Sequence, residues 1–277
     1  MRAAVLQMNS GVEVDRNLEV AERLLRSAAA EGAELAVLPE KWSALAPGHV
    51  LAGLAEPLDG PVVAAVRDWA RELGIAIVAG SVGERIGEGE RIANTSLLID
   101  REGEIAAVYR KIHMFDVEVG GVVYRESEHE QPGGEVVHGT AGELEVGMTI
   151  CYDLRFPELY RILALRGATA VTVPSAFTAA TGRDHWEVLL RARAIENQLF
   201  VLAANQHGTA APEFSSWGHS MIVDPWGRVL GSVPGGDGHA IADLDLGELR
   251  AVRERLPSLA SRREGAYAWP VEAGDHA

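Results

Sequence analysis

Three residues whose side chains could cooperate in one reaction each follow an apolar stretch of the kind that forms a buried strand. Glu40 ends the segment ELAVLPE, Lys111 follows EIAAVYR, and Cys151, the single cysteine of the chain, ends LEVGMTIC. Each residue alone has an ordinary alternative: a solvated loop carboxylate, a surface lysine, or a small buried thiol. Because α/β folds place their sites at the carboxyl ends of strands, we expect the three side chains to meet.

A carboxylate, an ammonium and a thiol suffice for the hydrolysis of an amide. A thiol with an ordinary pKa of about 8.5 is mostly protonated at neutral pH, so Glu40 would serve as the general base that activates Cys151. Lys111 would stabilise the oxyanion that forms when the sulfur attacks a carbonyl carbon. The glutamate would then pass the proton to the departing amine. This chemistry needs no metal and no cofactor, and we expect neither.

The three segments, in this order, resemble the motifs of the nitrilase superfamily of carbon–nitrogen hydrolases. LAVLPE is similar to the glutamate motif, YRKIHMFD to the lysine motif, and GMTICYDLRFPE to the cysteine motif, and the resemblance covers nearly the whole chain. It implies that Glu40 is the general base, Lys111 the oxyanion-stabilising residue and Cys151 the nucleophile. It further implies a second oxyanion donor, the N–H of Tyr152. A fourth catalytic residue, Glu126 in YRESEHE, would orient Lys111 and the substrate; the alternative is a solvated acidic loop.

The resemblance also implies a fold and an assembly. The fold is α/β, an αββα four-layer-type sandwich in which two mixed sheets are flanked by helices, and the chain forms a homo-oligomer, a dimer or larger. The pattern of the chain agrees with this class, since strands at 2–8, 34–40 and from 74 alternate with helices at 15–32 and 61–73. The turn at 100–103 predicts an antiparallel hairpin. Residues 112–142 are expected to form a long irregular loop.

Within the superfamily, the residues after the cysteine resemble the amidase branch. True nitrilases carry Trp and Glu there, whereas this chain has Tyr152 and Asp153. The segments CYDLRFPEL, PSAFTAATGRDHWEVLLRARAIENQ and WGHSMIVDPWG are similar to the omega-amidases and the deaminated-glutathione amidases. The resemblance implies cleavage, through a thioester, of a non-peptide C–N bond in a small anionic substrate: a 2-oxo dicarboxylic acid monoamide or deaminated glutathione. The alternatives are a nitrilase, an N-carbamoyl hydrolase and a non-catalytic binding or scaffold protein.

An anionic substrate requires a cationic side chain in the pocket. The candidate substrate-binding residues follow the cysteine or the strand end at PSA: Tyr152, Arg155, Phe177 and Thr178. The guanidinium of Arg155 could hold a carboxylate in a fork; the alternative is a structural ion pair with Asp153 or Glu158. Arg183 is a second cationic candidate. For Phe177 the alternative to lining the pocket is packing in the core.

Composition limits the other classes of function. The chain has 277 residues, which we expect to form a single carbon–nitrogen hydrolase domain, 1–277, with an extended tail at about 256–277 that lies at an oligomer interface. One cysteine excludes an internal disulfide and favours a cytoplasmic location. A net charge of −15 disfavours nucleic acid as a partner, and no apolar run approaches the length that spans a membrane. The expected partners are a small-molecule amide and further copies of the chain.

Overall fold

The computed structural model describes residues 1–87, 89, 91–211 and 214–266. Its helices in these ranges are α1 Val14–Ala30, α2 Gly48–Leu54, α3 Pro61–Leu73, α4 Pro157–Leu165, α5 Ala179–Asn197 and α6 Leu246–Arg255. Its strands are β1 Arg2–Gln7, β2 Leu35–Val37, β3 Ala76–Val78, β4 Val82–Glu84, β5 Ala93–Ile99, β6 Ile105–Arg110, β7 Asp116–Val119, β8 Val122–Arg125, β9 His138–Ala141, β10 Leu144–Met148, β11 Ala170–Thr172, β12 Phe200–Ala203, β13 His207–Ala211, β14 Phe214–Trp217, β15 Met221–Val223, β16 Val229–Ser232 and β17 Gly238–Asp243. Short 3₁₀ helices occur at Glu126–Glu128, Cys151–Arg155 and Glu264–Ala266.

Most of the strands belong to two mixed sheets. The first has the order β17-β1-β2-β3-β5-β4, with β6 also paired to β5, and the second has the order β16-β15-β12-β11-β10-β9. In each sheet the central strands are parallel, β1-β2-β3 in the first and β10-β11-β12 in the second. Antiparallel strands flank them on both sides. The parallel strands β2 and β10 are the ones that lead into the predicted glutamate and cysteine.

The two sheets pack face to face, and helices cover their outer faces. Successive residues of β1 show the layering, because side chains of a strand alternate between faces. Ala3 and Val5 belong to the core between the sheets, which also contains Val146 and Met148 of β10. Their neighbours in β1 face the other way and pack with α1 and α3. The outer face of the second sheet packs with α4 and α5. The predicted αββα sandwich is therefore confirmed.

The prediction of an irregular loop at 112–142 is wrong in part. This segment contains the hairpin β7–β8, the 3₁₀ helix at Glu126–Glu128 and the edge strand β9. The hairpin turns at Gly120 and Gly121, whose φ values of +60° and +79° suit glycine. Its strands are only partly buried and have no continuous apolar run, which is the signal on which the strand predictions depended. The hairpin predicted around 100–103 is confirmed.

Several further elements were not predicted, because they are short or weakly patterned. These are α2, β4, the hairpin β13–β14 and α6. In addition, α5 spans Ala179–Asn197 and includes Arg183. Of the tail predicted at about 256–277, residues 267–277 lie outside the described residues, so its extended form and its place at an interface stay predictions, as does the single domain 1–277. None of the helices described is long and apolar enough to cross a membrane.

Candidate active site

Glu40 is held rigidly at the end of β2. Its side chain is buried, and all of its carboxylate contacts are to donors. Oε1 accepts hydrogen bonds from Asn94 Nδ2 at 2.9 Å and Lys111 Nζ at 3.0 Å. Oε2 accepts one from the N–H of Ala176 at 2.8 Å. Three donors from different parts of the chain therefore fix the orientation of the carboxylate.

Gly80 leaves room for the turn that carries Glu40. Its φ is +46°, and a Cβ at this position would lie 2.0 Å from the carbonyl oxygen of Pro39. The next residue, Ser81, donates its N–H to that oxygen and accepts a hydrogen bond from the N–H of Lys41. A glycine is therefore required where the backbone after β3 contacts the turn after β2.

Lys111 lies between two carboxylates at the end of β6. Its Nζ is 2.8 Å from both oxygens of Glu126 and 3.0 Å from Glu40 Oε1. Burial opposes the charge of the ammonium, but the carboxylates of Glu126 and Glu40 raise the pKa of Lys111 well above its ordinary value. Burial likewise opposes the charge of Glu126, but Lys111 and Lys41 lower the pKa of Glu126. Both groups therefore remain charged at neutral pH.

Cys151 begins a short 3₁₀ helix directly after β10 and has a strained backbone. Its φ is +45°, a conformation uncommon for residues other than glycine. Its N–H donates to the carbonyl of Pro174 at 2.8 Å. The buried carboxylate of Asp153 holds the turn, since it accepts the N–H of Ile150 at 2.8 Å and the hydroxyl of Tyr109 at 2.6 Å. This clamp joins β6 of the first sheet to the cysteine turn of the second.

The thiol of Cys151 is protonated at rest. Burial and the charge of Glu40 raise the pKa of Cys151 well above its ordinary value, while Lys111 lowers it. Glu40 and Cys151 line the same cavity, and the charge of Glu40 is felt at the sulfur. A base is therefore placed at the same cavity as a thiol that needs one.

All eight residues predicted for the site line one cavity of about 370 Å³: Glu40, Lys111, Glu126, Cys151, Tyr152, Arg155, Phe177 and Thr178. The structure thus brings together the predicted catalytic and substrate-binding residues. Tyr152 follows the cysteine in the first turn of the 3₁₀ helix, where N–H groups have no acceptor within the helix. Such an N–H is free to contact a bound oxygen.

Arg155 lines the cavity and has no acidic partner among the residues that the structure describes. Its guanidinium lies 5.0 Å from the ring centre of Phe177, and its Nη1 lies 3.2 Å from His185 Nδ1. Among the described residues it forms no ion pair, so the alternative partners Asp153 and Glu158 are not used. Phe177 lines the cavity and also packs on Trp186. Its ring therefore contacts both the cavity and the core.

Arg183 is not part of the cavity lining. It lies in the early part of α5, where its side chain is 73% exposed and pairs with Asp184. The structure therefore does not support Arg183 as a contact for the substrate.

Three residues of the site were not predicted: Lys41, Asn94 and Glu130. Lys41 follows Glu40 directly and donates to Glu126 at 3.1 Å and Glu130 at 2.6 Å. The polar run Asn-Thr-Ser within the apolar strand β5 was a usable signal for Asn94, because buried polar groups in a strand need partners. Within the described ranges, no three His, Cys, Asp or Glu side chains are grouped closely enough to hold a metal ion.

Comparison with known proteins agrees with this geometry. The sequence model of the family described as carbon-nitrogen hydrolase matches residues 2–254. The deaminated glutathione amidase of Mus musculus is 43% identical over 273 residues, covering 95% of this chain and 84% of that protein. The solved structure of Saccharomyces cerevisiae Nit3, described as a member of branch 10 of the nitrilase superfamily, has a TM-score of 0.87 at 28% identity and covers 95% of this chain and 96% of its own.

Another solved structure is an amidase mutant from Nesterenkonia sp. AN1, with a TM-score of 0.80 at 28% identity and coverage of 96% and 95% of the two chains. It shows covalent addition of the acetamide moiety of fluoroacetamide at its active-site cysteine. These matches confirm the predicted superfamily, fold and enzyme class, whereas the roles of the individual site residues stay predictions. The chain belongs to the carbon–nitrogen hydrolase family.

Proposed function

We propose that this protein is an amidase that hydrolyses the linear amide of a small anionic molecule through a thioester on Cys151. One observation carries the proposal: the carboxylate of Glu40 bonds to Lys111, and Glu40, Lys111 and Cys151 line the same cavity. A base, an ammonium and a nucleophile thus meet where a substrate can enter. The Nesterenkonia amidase, whose active-site cysteine carries a covalent acetamide group, supports a cysteine nucleophile.

The proposed reaction has two stages. In the first, Glu40 accepts the proton of the Cys151 thiol, the sulfur bonds to the amide carbon, and the C–N bond breaks as Glu40 returns the proton to the leaving nitrogen. In the second, Glu40 accepts a proton from water, the resulting hydroxide attacks the thioester carbon, and the C–S bond breaks. The sulfur recovers its proton, and ammonia or an amine and a carboxylic acid are the products.

Two donors would stabilise the negative oxygen of each tetrahedral intermediate. Lys111 supplies a buried ammonium, and Tyr152 supplies a backbone N–H beside the sulfur. Glu126 bonds to Lys111 through both of its oxygens and therefore sets the position of the ammonium. In this proposal Glu126 orients the lysine, while Glu40 alone transfers protons.

For substrate recognition we propose that Arg155 binds a carboxylate. Its guanidinium lines the cavity and has no acidic partner in the described part of the chain, so a bound anion would supply the missing charge. Phe177 and Thr178 complete the wall beside it. The mouse relative is named a deaminated glutathione amidase, which makes deaminated glutathione the first substrate to test. Alpha-ketoglutaramate is the corresponding primary amide.

We also propose that the chain forms a homo-oligomer, a dimer or larger. Large apolar side chains are exposed on the outer helices and the nearby turn: Ile162, Leu165, Val188, Ile195 and Trp226. Exposed apolar groups of this kind mark interaction surfaces when they are contiguous. Light scattering during size exclusion would give the mass directly, and a monomer at micromolar concentration would refute this part of the proposal.

The experiment that tests the proposal is a paired turnover assay of the wild type and Cys151→Ala. One reaction contains alpha-ketoglutaramate and is read as ammonia, and the other contains deaminated glutathione and is read as cysteinylglycine. We expect cleavage by the wild type alone, and the faster substrate identifies the preferred amide. Cleavage by a folded Cys151→Ala at a similar rate would refute the nucleophile. If the wild type cleaves neither, the proposed specificity is wrong, and carbamoyl compounds, nitriles and other amides are assayed.

A further inference from the structure

The proposed reaction leaves two buried charged residues without a role. Lys41, next to Glu40 in sequence, has φ +52°, and its side chain is only 16% exposed. It donates to Glu126 Oε1 at 3.1 Å and to Glu130 Oε1 at 2.6 Å. Glu126 in turn holds Lys111. The contacts therefore form a chain from Glu130 through Lys41 and Glu126 to the ammonium at the oxyanion position.

Glu130 is fixed in place by backbone contacts as well as by Lys41. Its N–H donates to the carbonyl of Glu126 at 2.9 Å, and it forms a β-bridge with Ile92, which directly precedes β5 and is two residues before Asn94. Its side chain is 3% exposed, and burial raises the pKa of Glu130 to about 7, an effect that Lys41 opposes. Burial of a carboxyl group is unfavourable, and an apolar residue would fill the same position more favourably. The presence of Glu130 here therefore indicates a role in the site.

The second oxygen of Glu130 lies buried beside a small cavity that Asn94 also lines. Glu130 Oε2 and Asn94 Oδ1 are buried acceptors with no hydrogen-bond partner in the described part of the chain. Both residues line a small cavity of about 30 Å³. This volume accommodates one water, which requires roughly 10–15 Å³, and the two hydrogens of a water match two acceptors. Through its Nδ2, Asn94 holds Glu40.

We propose that Glu130 is a positioning residue: it holds Lys41 against Glu126 and, through one water shared with Asn94, links the groups that fix Lys111 to the groups that fix Glu40. Contacts then run in a closed ring that contains both Lys111 and Glu40. The inference rests on the proposed amidase function. It assigns Glu130 no contact with substrate, and its effect on the reaction passes through the placement of two other side chains.

The ring contains three carboxylates, those of Glu40, Glu126 and Glu130, and two ammonium groups, those of Lys41 and Lys111. Its net charge therefore changes when Glu130 gains or loses a proton. The charged groups that face Glu130 are Lys41 from the turn after β2, Glu126 from the 3₁₀ helix and Lys111 from the end of β6. When Glu130 is protonated, the ammonium of Lys41 interacts mainly with Glu126. When Glu130 loses its proton, it competes for Lys41, and Glu126 holds Lys111 more tightly. Turnover should therefore change as pH passes through the neutral range.

The test is the kcat and KM of Glu130→Gln against pH, with Glu135→Gln as the control. Glu135 is exposed and lies in the same segment of the chain. A misplacement of catalytic groups by about 1 Å can cost on the order of 100-fold in rate, so we expect kcat to fall about 10- to 100-fold in Glu130→Gln while KM changes less than threefold. The change in kcat near neutral pH that accompanies ionisation of Glu130 should also disappear. A kcat within twofold of the wild type with an unchanged profile would overturn the proposal.

A double-mutant cycle separates positioning from a general loss of stability. If Glu130 acts through Lys41, Lys41→Met with Glu130→Gln should be no slower than Lys41→Met alone. Rate losses that multiply would overturn this route. The cycle also decides the matter if Glu130→Gln folds poorly by itself, because Lys41→Met removes the buried charge that needs its partner.

A readout independent of substrate distinguishes this inference from the function on which it rests. The rate of Cys151 alkylation by iodoacetamide is measured against pH for the wild type and Glu130→Gln. Removal of a buried carboxylate favours the thiolate, so we expect the profile to shift to lower pH. If the wild type cleaves no amide and the profile still shifts, the proposed function fails and the coupling of Glu130 to the thiol stands. If the profile is unchanged, the positioning role fails whatever the substrate.

Discussion

Replacing Glu40 by glutamine should separate two properties of Cys151 that often change together, its reactivity as a thiol and its turnover of amides. In the structure, burial and the charge of Glu40 raise the pKa of Cys151, whereas Lys111 lowers it. Glutamine has nearly the same shape but no charge. The substitution therefore removes one cause of the raised pKa and leaves the ammonium beside the sulfur, which favours the thiolate.

The size of each effect can be worked from these contacts. A neighbouring charge shifts a pKa by about 1–3 units, so the thiolate fraction at pH 7 should rise about 10- to 1,000-fold. Thiolate nucleophilicity falls with pKa with a Brønsted slope of about 0.4–0.5, which leaves a net gain in alkylation rate of about 3- to 30-fold. Amide turnover should fall about 100- to 10,000-fold, because no group remains to protonate the leaving nitrogen.

The assay measures iodoacetamide alkylation and amide turnover on the same preparation. Mass spectrometry assigns the label to Cys151, the only cysteine of the chain. Glu118→Gln, an exposed glutamate on β7, serves as the matched control and should leave both rates unchanged. Alkylation and turnover that fall together in a folded Glu40→Gln would refute the reasoning, since the charge of Glu40 would then not be what suppresses ionisation of the resting thiol.

Three further predictions concern other parts of the site. Arg155→Gln should raise the KM for an anionic amide about 10- to 150-fold, the equivalent of a charged hydrogen bond of about 1.5–3 kcal/mol, while a neutral amide assayed in parallel should be little affected. Gly80→Ala should destabilise the protein by at least about 2 kcal/mol in urea unfolding, since it adds left-handed strain and a clash with Pro39; an unchanged midpoint would contradict this. Because Lys111 lowers the pKa of Glu126 below its ordinary 4.5, the stability gained from this ionisation is present above pH 4.5 and is lost as the pH falls further. Glu126→Gln should therefore flatten the acid limb of stability, measured by unfolding between pH 3 and 7, and an equally steep limb would count against the ion pair.

The main catalytic candidates could be found from the sequence because each carries a local signal. Glu40, Lys111 and Cys151 directly follow strands with continuous apolar runs, and strand ends in a sandwich of this class converge. The same continuous apolar runs identify the strands, so the layers of the fold could also be predicted. The strands within 112–142 could not be predicted from the sequence. The residues of β7 and β8 alternate between partly buried and exposed positions, so neither strand contains a continuous apolar run.

The supporting residues could not be found in this way, because tertiary contacts define them. Glu130 is separated from Lys41 by 89 positions in the chain, and only the folded structure shows that they meet. Asn94 had a signal, a polar side chain within an apolar strand, but nothing in the sequence shows which group it would bond. The position of Arg183 has a local cause: α5 begins before this residue, so its side chain lies on an exposed face of the helix, outside the cavity lining.

The division of the site between the two sheets makes catalytic activity a measure of their docking. Glu40 and Lys111 follow strands of the first sheet, Cys151 follows a strand of the second, and the hydroxyl of Tyr109 on the first sheet holds the turn of the second through Asp153. A folding intermediate in which only one sheet has formed would contain some of these side chains but would have no catalytic activity. Recovery of turnover during refolding should therefore lag behind recovery of secondary structure. For the same reason, two fragments cut between β6 and β9 would have to associate before either could hydrolyse an amide, because β17 of the second fragment pairs with β1 of the first and Cys151 is separated from Glu40 and Lys111.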